Sequence, residues 1–223
     1  MLRRLLSRRA QEEPATAPAQ PTGQLDNADL EALLIGIVEK WGADRKRLVV
    51  EVGTGGGQGS TVALHRVLTA SNSPFRLIGY EGNSELAASA SRYWNDTPDV
   101  QVVNEYFMRR EDVDLAVKAR VAPEDRGSYL PEFDAVAGAE NFLATPPPGP
   151  IDLLFIDSVR YTHLAILRAA VPWLRPDTIV VMEDDIPGYG ELAIVESELE
   201  LRDVATHEIG EHPWPLVEFR VSA

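Results

Sequence analysis

Downstream of Asp26, a residue type that caps helices, apolar side chains recur at Leu30, Leu33, Leu34, Ile37 and Val38. This is the spacing of one helical face, and the pattern stops near Trp41 and Gly42. Residues 48–52 form a short β-branched run closed by glycines, and residues 62–68 resume a helical pattern. The alternation continues with strands predicted over 77–80, 100–103, 151–156 and 178–182. Helices are predicted over 84–94, 113–121, 162–174 and 191–201. Elements alternating in this way imply parallel strands joined by right-handed crossovers. Residues 153–156 and 179–182 are apolar throughout, as strands covered on both faces are. The end of the chain breaks the rule: 204–209 and 216–221 both read as strands, with no room for a helix between them, so they must run antiparallel. The expected fold is α/β, a doubly wound, mostly parallel sheet of seven strands with a C-terminal antiparallel pair.

A chain of 223 residues suits one domain with a full core. Residues 1–24 read as a disordered tail, because 11–23 are rich in Pro, Ala, Thr and Gln and carry no periodic apolar face. The alternative for its first ten residues is a transit-like or membrane-surface segment, since Arg3, Arg4, Arg8 and Arg9 interleave with Leu2, Leu5 and Leu6. Residues 25–223 are assigned to the domain. Within it, the Pro- and Gly-rich stretch 122–150, with Pro146, Pro147 and Pro148, reads as an insertion or lid loop. No apolar run is long enough for a membrane span, and the formal net charge of −14 disfavours a nucleic-acid partner. A small-molecule partner and a cytoplasmic location are the expectation. With no cysteine, thiolate chemistry and cysteine-based zinc sites are excluded.

The strongest chemical signal is Glu51-Val52-Gly53-Thr54-Gly55-Gly56-Gly57-Gln58-Gly59, lying between the first strand and a helix. Glycines there allow a tight turn and bring bare backbone against a ligand. A dinucleotide fingerprint needs Gly-x-Gly-x-x-Gly, and counting from Gly53 its third glycine would fall on Gln58. A carboxylate at the loop also suits the ammonium of a methionine moiety better than a pyrophosphate. Glu51, Gly53, Gly55 and Gly57 are therefore candidate binding residues for S-adenosylmethionine. Glu81 follows the second strand about twenty residues further on, where such folds place the carboxylate that takes ribose hydroxyls. Tyr80 would flank the sugar.

The strands predicted at 151–156 and 178–182 both lead into acids, Asp157 in one case and Glu183-Asp184-Asp185 in the other. With Glu51, Glu81 and the terminal strand pair, the chain resembles the Rossmann-like class I S-adenosylmethionine-dependent methyltransferases. Within them it resembles the catechol and caffeoyl-coenzyme A O-methyltransferase group and its sugar-modifying relatives. The resemblance implies Mg²⁺ or another divalent cation held by Asp157, Asp184 and Asp185, whose hard oxygens suit such ions. It implies adenine contacts near Tyr106, although Asn104 stands where the family often has glycine, and it allows a homodimer. The resemblance departs at the base: Val159 and Arg160 stand where relatives carry lysine or Asp-His, and arginine accepts no proton. Asp157 and His163 are then the candidate catalytic groups, His163 being the nearest titratable side chain of suitable pKa. His65, His207 and His212 read as structural. The expected function is divalent-metal-assisted O-methylation of a small hydroxylated metabolite. The alternatives are metal-independent methyl transfer, a catalytically silent cofactor-binding protein, and an NAD-dependent oxidoreductase, which the glycine spacing disfavours.

Overall fold

A computed structural model describes residues 27–71, 73–112, 135–158, 162–183, 195–196, 199–208 and 215–222. The apolar periodicity after residue 26 forms helix α1 (Asn27–Val38), and the β-branched run forms β1 (Arg47–Val52). The glycine loop leads into α2 (Ser60–Ala70) and then β2 (Phe75–Tyr80). Asn83 starts α3 (Ser84–Tyr93), its side chain accepting from the amides of Glu85 and Leu86, a cap worth about 1 kcal/mol. Next come β3 (Val100–Val103), β4 (Leu153–Ile156), α4 (His163–Ala170), β5 (Ile179–Glu183), β6 (Leu201–His207) and β7 (Leu216–Val221).

The strands form one seven-stranded sheet in the order β3-β2-β1-β4-β5-β7-β6. The first five in chain order are parallel, while β7 runs antiparallel to both β5 and β6. The doubly wound, mostly parallel fold with a terminal antiparallel pair is thus as the periodicity implies. Most boundaries shift by one to three residues, and two of the differences have a plain physical reason. The predicted helix 162–174 gives way to a 3-10 turn at Val171–Trp173, because Pro172 has no N–H to continue the ladder. Leu201, assigned by periodicity to the end of a helix, instead opens β6, paired with Val221. Asp26, the predicted helix 113–121 and residues 1–24 lie outside the described residues, as do 122–134 of the predicted insertion.

Alternate residues of the central strands feed two cores. Val50, Val52, Ile78, Leu154, Ile156, Val180 and Met182 pack on one face with α4, Phe107 and Met108. Val49, Leu77, Leu153, Phe155, Ile179 and Val181 pack on the other with α1 and α2. At the amino ends of the strands, buried Asp152 accepts from the Leu48 amide (2.8 Å) and from Arg45. Arg47 and Arg175 approach the same carboxylate at 3.5 and 3.6 Å. Among the described residues no helix is long and apolar enough to cross a membrane.

Candidate functional site

Where β1 ends, the chain turns through three glycines with positive φ: Gly53 at 93°, Gly55 at 56° and Gly57 at 82°. Their surroundings differ. A Cβ on Gly53 would lie 1.5 Å from the Asp157 carbonyl, because the tips of β1 and β4 are drawn together there. The Asp157 amide donates to Val52 (2.9 Å) and the Gly53 amide to Tyr80 (2.9 Å), tying three strand ends into one rim. A Cβ on Gly57 would meet Trp94 Nε1 at 2.9 Å and Ala90 Cα at 3.0 Å. Gly55 has nothing within 4 Å of that position. Gly53 and Gly57 are thus required by the protein's own packing, while Gly55 turns toward open space.

That space is a cleft of about 450 Å³ at the carboxyl edge of the sheet. Gly53 and Gly55 line it from β1, Tyr80, Glu81 and Asn83 from β2, Glu105 and Tyr106 from beyond β3, and Asp157 and Ser158 from β4. Glu81 crosses the gap between β1 and β2, one oxygen accepting from the Gly55 amide (2.7 Å) and the other from Asn83 (2.8 Å). The two loops that flank the cleft are therefore held together by the carboxylate between them. Leu86, Phe107 and Met108 supply an apolar side, so one end of the cleft is polar and the other suited to a flat apolar group.

Glu51 sits differently from Glu81. Like Val49 two residues earlier, it points to the face covered by α2, where it is fully buried. Its two oxygens accept from Ser60 and Thr61, both at 2.7 Å. Burial pushes its carboxyl up to about 7, against the lowering effect of those two hydroxyls. Its reach toward the cleft is indirect, since the Ser60 hydroxyl also lies 3.1 Å from Asp157 Oδ2. Gly57, like Glu51, does not line the cleft.

Tyr80 is buried, with its ring edge-on to Phe107 at 4.7 Å and its hydroxyl donating to the Thr145 carbonyl (2.8 Å). Burial pushes its phenol well above the ordinary range, so it is a donor and not a base. The Tyr106 ring covers Gly82, where a Cβ would lie 2.3 Å from it, so that glycine admits the ring. Sequence reasoning missed the segment that backs Tyr106. Asn141 donates through its side chain to Gly82 O (3.0 Å) and Asn104 O (3.1 Å), and Glu105 accepts from the Ala144 and Thr145 amides, each at 2.8 Å. Burial works to raise the Glu105 carboxyl, but the bonds from Thr145 and Ala144 outweigh it and hold it below the usual range. An acid just past β3 was the available signal for Glu105; nothing in local sequence marks Asn141.

His163 begins α4, is buried, and is not among the residues lining the cleft. Asp184, Asp185 and Arg160 lie outside the described residues. Among the described residues no group of three or more His, Asp or Glu side chains is placed to hold a metal ion.

Residues 50–185, well over half of the chain and reaching from β1 to the acids beyond β5, match a family described as a methyltransferase domain. The chain belongs to this family. The methyltransferase is of the S-adenosylmethionine-dependent class I type, with the fold expected of that class. Solved structures share the architecture at low identity. An O-methyltransferase from Bacillus cereus in complex with SAH is 17% identical, with a TM-score of 0.54, covering 99% of this chain and 90% of the other. The O-methyltransferase TomG from Streptomyces achromogenes, involved in tomaymycin synthesis and solved with SAM, is 20% identical, with a TM-score of 0.52 and coverage of 100% and 89%. A ribosomal protein L11 methylase from Lactobacillus delbrueckii subsp. bulgaricus is 14% identical, with a TM-score of 0.53 and coverage of 93% and 91%. These likenesses speak for the fold. No curated protein matches the sequence.

Proposed function

We propose that this methyltransferase moves the methyl group of S-adenosylmethionine to a hydroxyl oxygen of a small metabolite, with a divalent cation assisting. The observation that carries the reading is the cleft itself. Gly55 presents bare backbone at positive φ, Glu81 lies between the loops, and Asp157 stands on the wall formed by β4. Glu81 is suited to accept ribose hydroxyls, each of its oxygens keeping a lone pair beyond its backbone bond. Leu86 and Tyr106 would flank the base, and Asp157 would face the methionine end. When bound, the cofactor supplies an electrophilic methyl on a sulfonium. The protein's share is to hold the acceptor oxygen in line with it and to keep water out. TomG and the Bacillus cereus enzyme, both named as O-methyltransferases, support oxygen as the acceptor atom.

For the cation, the donor set fits in kind. Ile156 pairs with Met182, so the chain leaves β4 and β5 side by side, just before Asp157 and just before Asp184 and Asp185. Carboxylates from two adjacent strand ends suit Mg²⁺ or Mn²⁺, which would lower the pKa of the acceptor hydroxyl. His163 is the base candidate by chemistry, yet its burial away from the cleft lining favours positioning and the cation over a protein base.

The test is calorimetric titration of SAH and SAM with and without Mg²⁺, repeated on Asp184→Ala. Micromolar binding, with a Mg²⁺ effect that the variant loses, is the expected result. Binding indifferent to Mg²⁺ would leave metal-independent transfer, and no binding at all would overturn the cofactor assignment.

A further inference from the structure

Trp94 follows α3 and lines no part of the cleft, yet it is joined to the loop that does. Its indole N–H donates to the Gly57 carbonyl at 2.8 Å, in a buried bond between residues far apart in sequence. The same carbonyl belongs to a residue whose φ is 82° and whose absent Cβ leaves the room that Trp94 Nε1 and Ala90 occupy. Gly57 in turn donates to Thr54 O at 3.0 Å, closing the turn that presents Gly55. The indole is fixed from its other sides, by His65 at 5.0 Å from α2 and by Tyr93 at 5.1 Å, edge-on. Burial lowers the pKa of His65, against the raising effect of Asp99, and so favours the neutral ring beside the indole.

Both ends of this arrangement lead to the cleft. α2 begins directly after the glycine loop, and α3 begins at Asn83, whose amide is bonded to Glu81. An indole wedged between these two helices, with its one polar atom on the loop, fixes the height of the loop relative to the β2 end. We infer that Trp94 is a positioning residue for the cofactor, acting through the Gly57 carbonyl to hold Gly55 and Glu81 at the separation that S-adenosylmethionine needs. The inference rests on the cofactor reading above and adds to it a residue outside the cleft that sets affinity.

The decisive comparison is Trp94→Phe, which keeps an aromatic ring beside His65 and Ala90 but leaves the Gly57 carbonyl without its donor. SAH titration should show the dissociation constant raised about 3- to 10-fold, the effect of one lost backbone-directed hydrogen bond. Leu34→Ala, in the core under α1 and remote from the cleft, is the control for lost stability. It should lower the melting temperature without changing SAH affinity. A Trp94→Phe protein that melts lower but binds SAH like wild type would reduce Trp94 to packing and overturn the inference. Wild type that binds no SAH would instead overturn the cofactor reading and this inference with it. Should Trp94→Phe not fold, the wild type still decides. The indole N–H resonance identified by its NOE to the Ala90 methyl should be protected from exchange and should shift on saturation with SAH. No shift there, with SAH bound, would overturn the inference.

Discussion

At the residue scale, the three positive-φ glycines are not interchangeable, and alanine should tell them apart. At Gly53 the new methyl group would fall on the Asp157 carbonyl, backbone that cannot yield cheaply. Gly53→Ala is expected to cost more than about 2 kcal/mol by thermal denaturation and to disturb the β4 end with it. At Gly55 the methyl meets no protein atom, so the stability cost is only the strain of the left-handed backbone, about 1 kcal/mol. SAH binding should nevertheless be lost, because the methyl occupies ligand space. Equal losses of stability in the two variants would contradict this division. Glu51 gives a pH signature. Its folded-state carboxyl titrates at about 7, whereas an unfolded glutamate titrates near ~4.3. The folded state therefore holds the proton more tightly, a contribution fully present below the unfolded pKa and lost as pH rises through 7. With EDTA present, wild type should lose stability relative to Glu51→Gln between about pH 5 and pH 8. A gap between their melting temperatures that does not change over that range would refute the assignment.

At the scale of elements, the segment 141–145 is joined to the site by side chains as well as backbone. Glu105 accepts from two of its amides and from the Thr145 hydroxyl, and Tyr80 donates to the Thr145 carbonyl. Glu105→Ala removes the acceptor of three bonds at once, and hydrogen exchange should accelerate at residues 144 and 145 while the central strands keep their protection. Uniform acceleration across the sheet would mean that Glu105 supports the whole fold. This segment also marks where sequence reading ran out. Strands and helices were legible because burial on one face or two imposes a period on the residue types, and β3 and β7 came out with the expected ends. The glycine loop and Glu81 were legible because backbone conformation and topology constrain them. Asn141 reaches Gly82 across 59 positions of sequence, and no local pattern encodes such a pairing. For Glu51 the sequence shows a carboxylate beside the loop but not its outlook, since only the pleat of β1 decides that it faces α2. Leu201 misled because an apolar residue at the right helical interval is equally at home opening a strand.

At the scale of the whole molecule, the sheet has a ligand-facing edge and a structural one. Asp152, at the far edge from the cleft, is approached by Arg45, Arg47 and Arg175. Asp152→Ala should destabilise by about 1–3 kcal/mol, the cost of leaving the buried Leu48 amide without its acceptor and buried Arg47 without one of its partners, and leave SAH affinity unchanged. A parallel loss of affinity would show the two edges to be coupled. The last strand carries a further consequence. β6 lies at the border of the sheet, and its pairing with β7 slips between Arg202 and Ala205, around an Asp203 whose φ is 54°. At the opposite border β3 is only four residues long. A kinked strand and a stub are poor templates for a neighbouring chain, so copies of this methyltransferase should resist joining sheet to sheet even when concentrated, and any pair they form must meet through helices or loops.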